Sequence, residues 1–287
     1  MKQFLVILMS IMTIHAIAQE KGQMHYLYSA DEIPGSTKKQ AELEEKDKPK
    51  LFAYTDVDKD AKDIVFLVIP GGGYSRVAIN HEGHDVAKRL ESLGYAAYVL
   101  DYRLPKKETM IDKRFGPLQD AQQAMLLIRK QFPKKRLAVI GFSAGGHLAA
   151  TLSNFAKRFT IKGAKASDLQ PDISILCYPV ISMEDVITHQ GSKQNLIGPD
   201  ATSVDTDLFS IEKQVSKKTP PTFLMSAKDD KTVPIENTYR YKASLDKFKI
   251  PNELLTYELG GHGFGLKNKT SDVDWFAAMI KWLETLK

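Results

Sequence analysis

The chain has 287 residues, 43% of them hydrophobic and 26% charged, ordinary proportions for a globular protein with a sizeable core and most simply one large domain. The net charge of +5 is small for this length, and basic residues are mixed with acidic ones, as in "KKQAELEEKDKPK" and "LPKKETMIDKR". Without a basic stripe interleaved with aromatics, the composition gives no nucleic-acid partner.

The first segment stands apart. Lys2 supplies a positive start, Phe4 to Ile14 is almost wholly apolar, and Ala16-Ile17-Ala18 forms a small-x-small cleavage site before Gln19. Residues 1–18 read as a secretory signal peptide, because Phe4 to Ala18 is shorter than the roughly 20 residues a bilayer span needs. Cleavage leaves residues 19–287 as a single exported domain, periplasmic or extracellular, with no membrane anchor. The only cysteine, Cys177, excludes an internal disulfide and lies in an apolar run, where it reads as buried packing.

After residue 60, short β-rich apolar runs alternate with helical patterns, which predicts a mostly parallel central sheet with helices on both faces. The expected strands are 64–69, 96–101, 137–140, 173–178, 222–227 and 254–258; their near-continuous hydrophobicity suits strands buried on both faces. The expected helices are 82–93, 118–132, 145–157, 235–248 and 272–286. In the second of these, Leu118, Ala121, Met125 and Ile128 recur at helical spacing behind Pro117. Residues 19–60 add one or two edge strands, with "KLFAYT" the best candidate. Residues 182–219 are polar with weak periodicity, and read either as a small cap insertion or as a surface loop.

The chemistry centres on "LAVIGFSAGGHLAATL", where a strand runs into Gly141-Phe142-Ser143-Ala144-Gly145 and then a helix. G-x-S-x-G in that context is a nucleophile elbow, with the serine in a strained turn and the glycines admitting close backbone approach. A serine hydroxyl needs a base, and the base an orienting acid. Both follow in chain order: "TFLMSAKDDKTVP" ends a strand in two acids, and "ELGGHGFGL" places His262 in a glycine-rich turn. Of Asp229 and Asp230, the D-x-x-V-P spacing favours Asp230, which leaves Asp229 as a loop or capping residue.

Acyl transfer also needs donors for a developing oxyanion. In "FLVIPGGGYS" a buried strand opens into bare backbone amides, so Gly72 or Gly73, with Tyr74 as a further choice, supplies one donor and Ala144 the other. Tyr74 and His81 are also candidate substrate contacts. "HEGH", His81 to His84, lacks the i, i+4 histidine pair of a zinc helix, so no metal is expected. His147 reads as packing or hydrogen bonding, and Asp101 and Asp120 as loop ties or partners of Arg103.

Four segments, "IPGGGYSRVAINHEGHDVAKRLESLGYAAYVLDYRL", "GFSAGGHLAA", "DDKTVPIENT" and "GGHGFG", give the chain from about residue 60 onward its likeness to a family. It resembles the α/β-hydrolase superfamily, and within it the small esterases related to acetylxylan esterases and hormone-sensitive-lipase-like enzymes. Pro70 stands where the latter usually carry histidine, which moves the likeness toward the carbohydrate esterases. The resemblance implies an α/β-hydrolase fold, a Ser143-His262-Asp230 acyl-enzyme mechanism without cofactor, and acylated carbohydrate such as xylan, or a small ester, as substrate. A peptidase or amidase, a general small-ester hydrolase and a non-catalytic carbohydrate-binding protein are the alternatives.

Overall fold

The computed structural model describes residues 22–29, 32–55, 62–155 and 158–286. The expected signal segment, residues 1–18, lies outside the described residues.

Among the described residues, eight strands form one sheet in the order β1-β2-β4-β3-β5-β6-β7-β8. They are β1 (Gln23–Tyr26), β2 (Lys50–Tyr54), β3 (Ile64–Ile69), β4 (Ala96–Asp101), β5 (Arg136–Phe142), β6 (Ile173–Cys177), β7 (Thr222–Ala227) and β8 (Asn252–Tyr257). From β4 through β8 every neighbouring pair is parallel. β2 pairs antiparallel with β4, and β1 antiparallel with β2. The "KLFAYT" strand therefore lies second from the edge, because β1 pairs outside it.

The helices used below are α1 (Asp85–Glu91), α2 (Gly116–Gln131), α3 (Ser143–Asn154), α4 (Ala166–Leu169), α5 (Gln190–Leu196), α6 (Ser203–Phe209), α7 (Glu236–Lys247) and α8 (Trp275–Leu283). Alternation along β3 sends its side chains to two separate cores. Val65, Leu67 and Ile69 join α2, α3 and α7 on one face, while Phe66 and Val68 join α1 and α8 on the other. Burial on both faces is why the parallel strands read as continuous apolar runs.

Three differences from expectation have local causes. The helix expected from residue 82 begins as a π turn, Asn80–His84, in which the His84 N–H donates to the Ile79 carbonyl. The last helix starts at Trp275, because Asp274 caps it by accepting from the Phe276 and Ala277 N–H groups. Residues 182–219 carry α5 and α6, with Leu196 and Phe209 buried against the body; the segment is folded onto the domain as a wall. Asn237 anchors its start, its Oδ1 accepting from the Ile181 and Ser182 N–H groups.

Candidate active site

Five loops converge at the carboxyl ends of the parallel strands, the edge where open α/β sheets bind ligands. Ser143 follows β5 directly and opens α3 with φ +51°, a left-handed conformation rare for a residue with a side chain. Neighbouring glycines make the turn sterically possible. A Cβ on Gly145 would stand 2.2 Å from the Ile69 carbonyl oxygen, and one on Gly141 2.4 Å from that of Gly145.

Ser143 Oγ lies 2.8 Å from His262 Nε2, and His262 Nδ1 lies 2.6 Å from Asp230 Oδ2. A carboxylate only accepts, so Nδ1 carries the proton and Nε2 is left to accept from the serine hydroxyl. The other oxygen of Asp230 accepts from the Thr232 and Val233 N–H groups, both at 2.9 Å, which fixes the carboxylate. Asp229 does a different job: its Oδ1 accepts from the Gly261 N–H at 2.8 Å, one residue before the histidine. That bond holds the Asp229 pKa below the usual carboxylate range.

The serine and histidine open into a cleft of about 630 Å³. Gly72 and Gly73 line it from the loop after β3, with φ +120° and +65°. The Gly71 N–H is already committed to Glu82 Oε2 at 2.9 Å, so any N–H this loop offers to the cleft belongs to the following residues. Ala144 sits in the first turn of α3, where backbone N–H groups lack intrahelical acceptors. His81 lines the cleft with an exposed side chain.

The expectation that the Tyr74 side chain contacts substrate is corrected. Its ring is 2% exposed and its hydroxyl donates to His147 Nδ1 at 2.8 Å. His147 in turn donates from Nε2 to the Phe209 carbonyl, and burial brings its pKa down to about 4. Only the backbone of Tyr74 stays near the glycine loop. His84 turns to the core, against the Tyr54 hydroxyl, and among the described residues no three His, Cys, Asp or Glu side chains cluster to hold a metal. Asp120 ties Arg103 and Tyr28 in a buried knot. Cys177 is fully buried.

The family described as BD-FAE matches residues 53–245. The chain belongs to the BD-FAE family. Over 246 residues it is 34% identical to "Endo-1,4-beta-xylanase B" of Butyrivibrio fibrisolvens, covering 83% of this chain and 38% of that protein. It is 33% identical over 207 residues to "Acetylxylan esterase" of Xylanibacter ruminicola, covering 69% of this chain and 40% of that one. The chain thus spans about two fifths of the length of these relatives. A solved structure of an acetyl ester-xyloside bifunctional hydrolase from Caldicellulosiruptor lactoaceticus is 35% identical, covers 93% of this chain and 97% of its own, and superposes with TM-score 0.78. A carboxylesterase from Lactobacillus plantarum, at 20% identity and TM-score 0.70, shares the fold. The fold is that of the α/β hydrolases.

This BD-FAE chain also holds site residues that the sequence did not single out for this place. Tyr178, just past β6 with φ +36°, is fully buried and packs its ring against His262, centroids 4.9 Å apart. Its hydroxyl donates to Glu82 Oε1 and accepts from the Gly265 N–H, both at 2.9 Å. Glu82 also holds Gly71, so one buried carboxylate joins the glycine loop to the histidine loop. From α5 and the residue before it, His189, Gly191 and Asn195 also line the cleft, and Asn195 Nδ2 donates to the Gly73 carbonyl at 2.8 Å. The one signal for Tyr178 is positional: it follows a buried parallel strand directly.

Proposed function

We propose that the chain is a serine carboxylic ester hydrolase that removes short acyl groups, acetyl foremost, from carbohydrate of the xylan type. The observation that carries this reading is the unbroken hydrogen-bonded series Ser143–His262–Asp230, whose first two members line an open cleft. The names of the relatives, acetylxylan esterase and xylanase B, support the substrate class.

In this reading Ser143 Oγ attacks the ester carbonyl while His262 Nε2 takes its proton. Asp230 holds the imidazole in the required tautomer and stabilises the imidazolium. Backbone N–H groups of Ala144 and of the Gly72–Gly73–Tyr74 turn receive the oxyanion. His262 then protonates the leaving alcohol, and water repeats the cycle on the acyl-enzyme. Residues 1–18 direct export in the same proposal, which places the enzyme where extracellular polysaccharide is met.

Acetate release from acetylated xylan by the purified protein, with Ser143→Ala alongside, tests the reading. The expected outcome is release by the first and a loss on the order of 10⁶-fold in the second. Cleavage of a simple acetate ester without release from xylan would retain the nucleophile and reject the carbohydrate.

A further inference from the structure

His189 has a built environment that the hydrolytic steps do not use. It is the N-cap of α5, and its Nδ1 accepts from the Ser192 N–H at 3.2 Å, with Ser192 Oγ 2.8 Å away. A nitrogen that accepts from a backbone N–H carries no proton, so the neutral ring has its proton on Nε2. Burial and the neighbouring His262 hold this imidazole below its usual range, which keeps the neutral form near neutral pH.

The ring is also fixed in space. A Cβ on Gly73 would lie 3.4 Å from His189 Cε1, and one on Gly191 3.1 Å from it, so the ring is flanked by the glycine loop and its own helix. Asn195, one turn on, pins that helix to Gly73, and Lys113 Nζ donates to the Asn195 carbonyl. What is left for the cleft is the Nε2–H, and among the described residues no acceptor takes it. A rigid, partly buried donor beside the glycine turn, in the same cleft as Ser143, is suited to an uncharged oxygen on the alcohol side of the ester.

Resting on the carbohydrate-ester reading, we infer that His189 is a specificity-determining residue whose Nε2–H donates to an oxygen of the sugar carrying the acyl group. A sugar offers hydroxyl and ring oxygens next to the ester, whereas an aryl acetate offers none there. Sites built to hydrogen-bond a substrate discriminate against analogues that leave the site's group unpaired.

The test uses the purified protein with two substrates, an acetylated xylo-oligosaccharide and 4-nitrophenyl acetate, and follows the ratio of their kcat/KM values. His189→Asn keeps a side-chain acceptor suited to the helix cap but is too short to present the donor. His189→Gln returns an N–H at greater reach. The ratio is expected to fall about tenfold or more in the Asn variant, through KM on the oligosaccharide, and to recover in part in the Gln variant. Thermal unfolding of both variants separates loss of the cap from loss of the donor. An unchanged ratio in a protein that cleaves both substrates, whether the two rates stay level or drop together, overturns the inference alone. Wild-type protein that cleaves only the aryl acetate overturns the carbohydrate reading and the sugar-facing role of His189 with it.

Discussion

Two adjacent acids with opposite assignments show how finely the site is resolved at the level of single side chains. Asp230 touches the imidazole, whereas Asp229 touches the backbone N–H of Gly261. Asp230→Asn presents an amide to Nδ1 and disturbs the tautomer, so kcat on a simple acetate ester should drop roughly 10⁴-fold with little change in KM. Asp229→Asn still offers an oxygen to Gly261, and its loss should stay below about tenfold. Steady-state kinetics on the two variants decides the order; equal losses would mean that the loop, not the tautomer, governs the rate. The D-x-x-V-P spacing made this choice readable, because the Thr232 and Val233 N–H groups that clamp Asp230 belong to that same turn.

Among loops and strands, the Glu82 carboxylate is the common tie, since it binds Gly71 on one side and Tyr178 on the other. Glu82→Ala strips acceptors from a buried N–H and a buried hydroxyl, a cost of about 1–3 kcal/mol for each group left unpaired. It also frees two loops that must hold reacting groups in register. The expected result is a lower urea midpoint and a kcat/KM reduced roughly 10- to 100-fold, with Glu82→Gln milder in both. What was legible in the sequence follows burial. The strands 64–69, 96–101 and 222–227 appear at their expected bounds because both faces are covered. β8 shifts by one or two residues, since an edge strand with partly exposed positions gives a less continuous apolar run. β1, exposed at all four positions, gives no apolar run at all. Ser143 and His262 were marked by glycines that their turns require. Tyr178, Glu82 and His189 carry no such mark, as the Tyr178 hydroxyl finds its partners 87 and 96 residues away and His189 caps a helix too short to show periodicity.

For the molecule as a whole, acid sensitivity should track His147. Its folded pKa of about 4 lies below the roughly 6.5 of an unfolded histidine, so the unfolded chain binds the proton first. Stability from this group is complete above pH 6.5 and is lost as pH falls toward 4, about 2 kcal/mol of it by pH 5. Asp101, raised to about 6 by burial, acts in the opposite sense over the lower part of that window. His147→Gln keeps a donor for Phe209 and an acceptor for Tyr74 but cannot titrate. Its urea-derived stability should therefore depend on pH less steeply than that of the wild type between 7.5 and 5, a comparison in which Asp101 cancels. Ser143 rests at the end of an interior strand, yet its base arrives on the loop after β8, the outermost strand on that side. Edges of sheets open before interiors do, so on gradual heating catalysis should vanish while far-ultraviolet circular dichroism still records an intact sheet. On the proposed function, the protein would thereby act as a reporter of its own peripheral order, silent once the rim loosens and long before the centre melts.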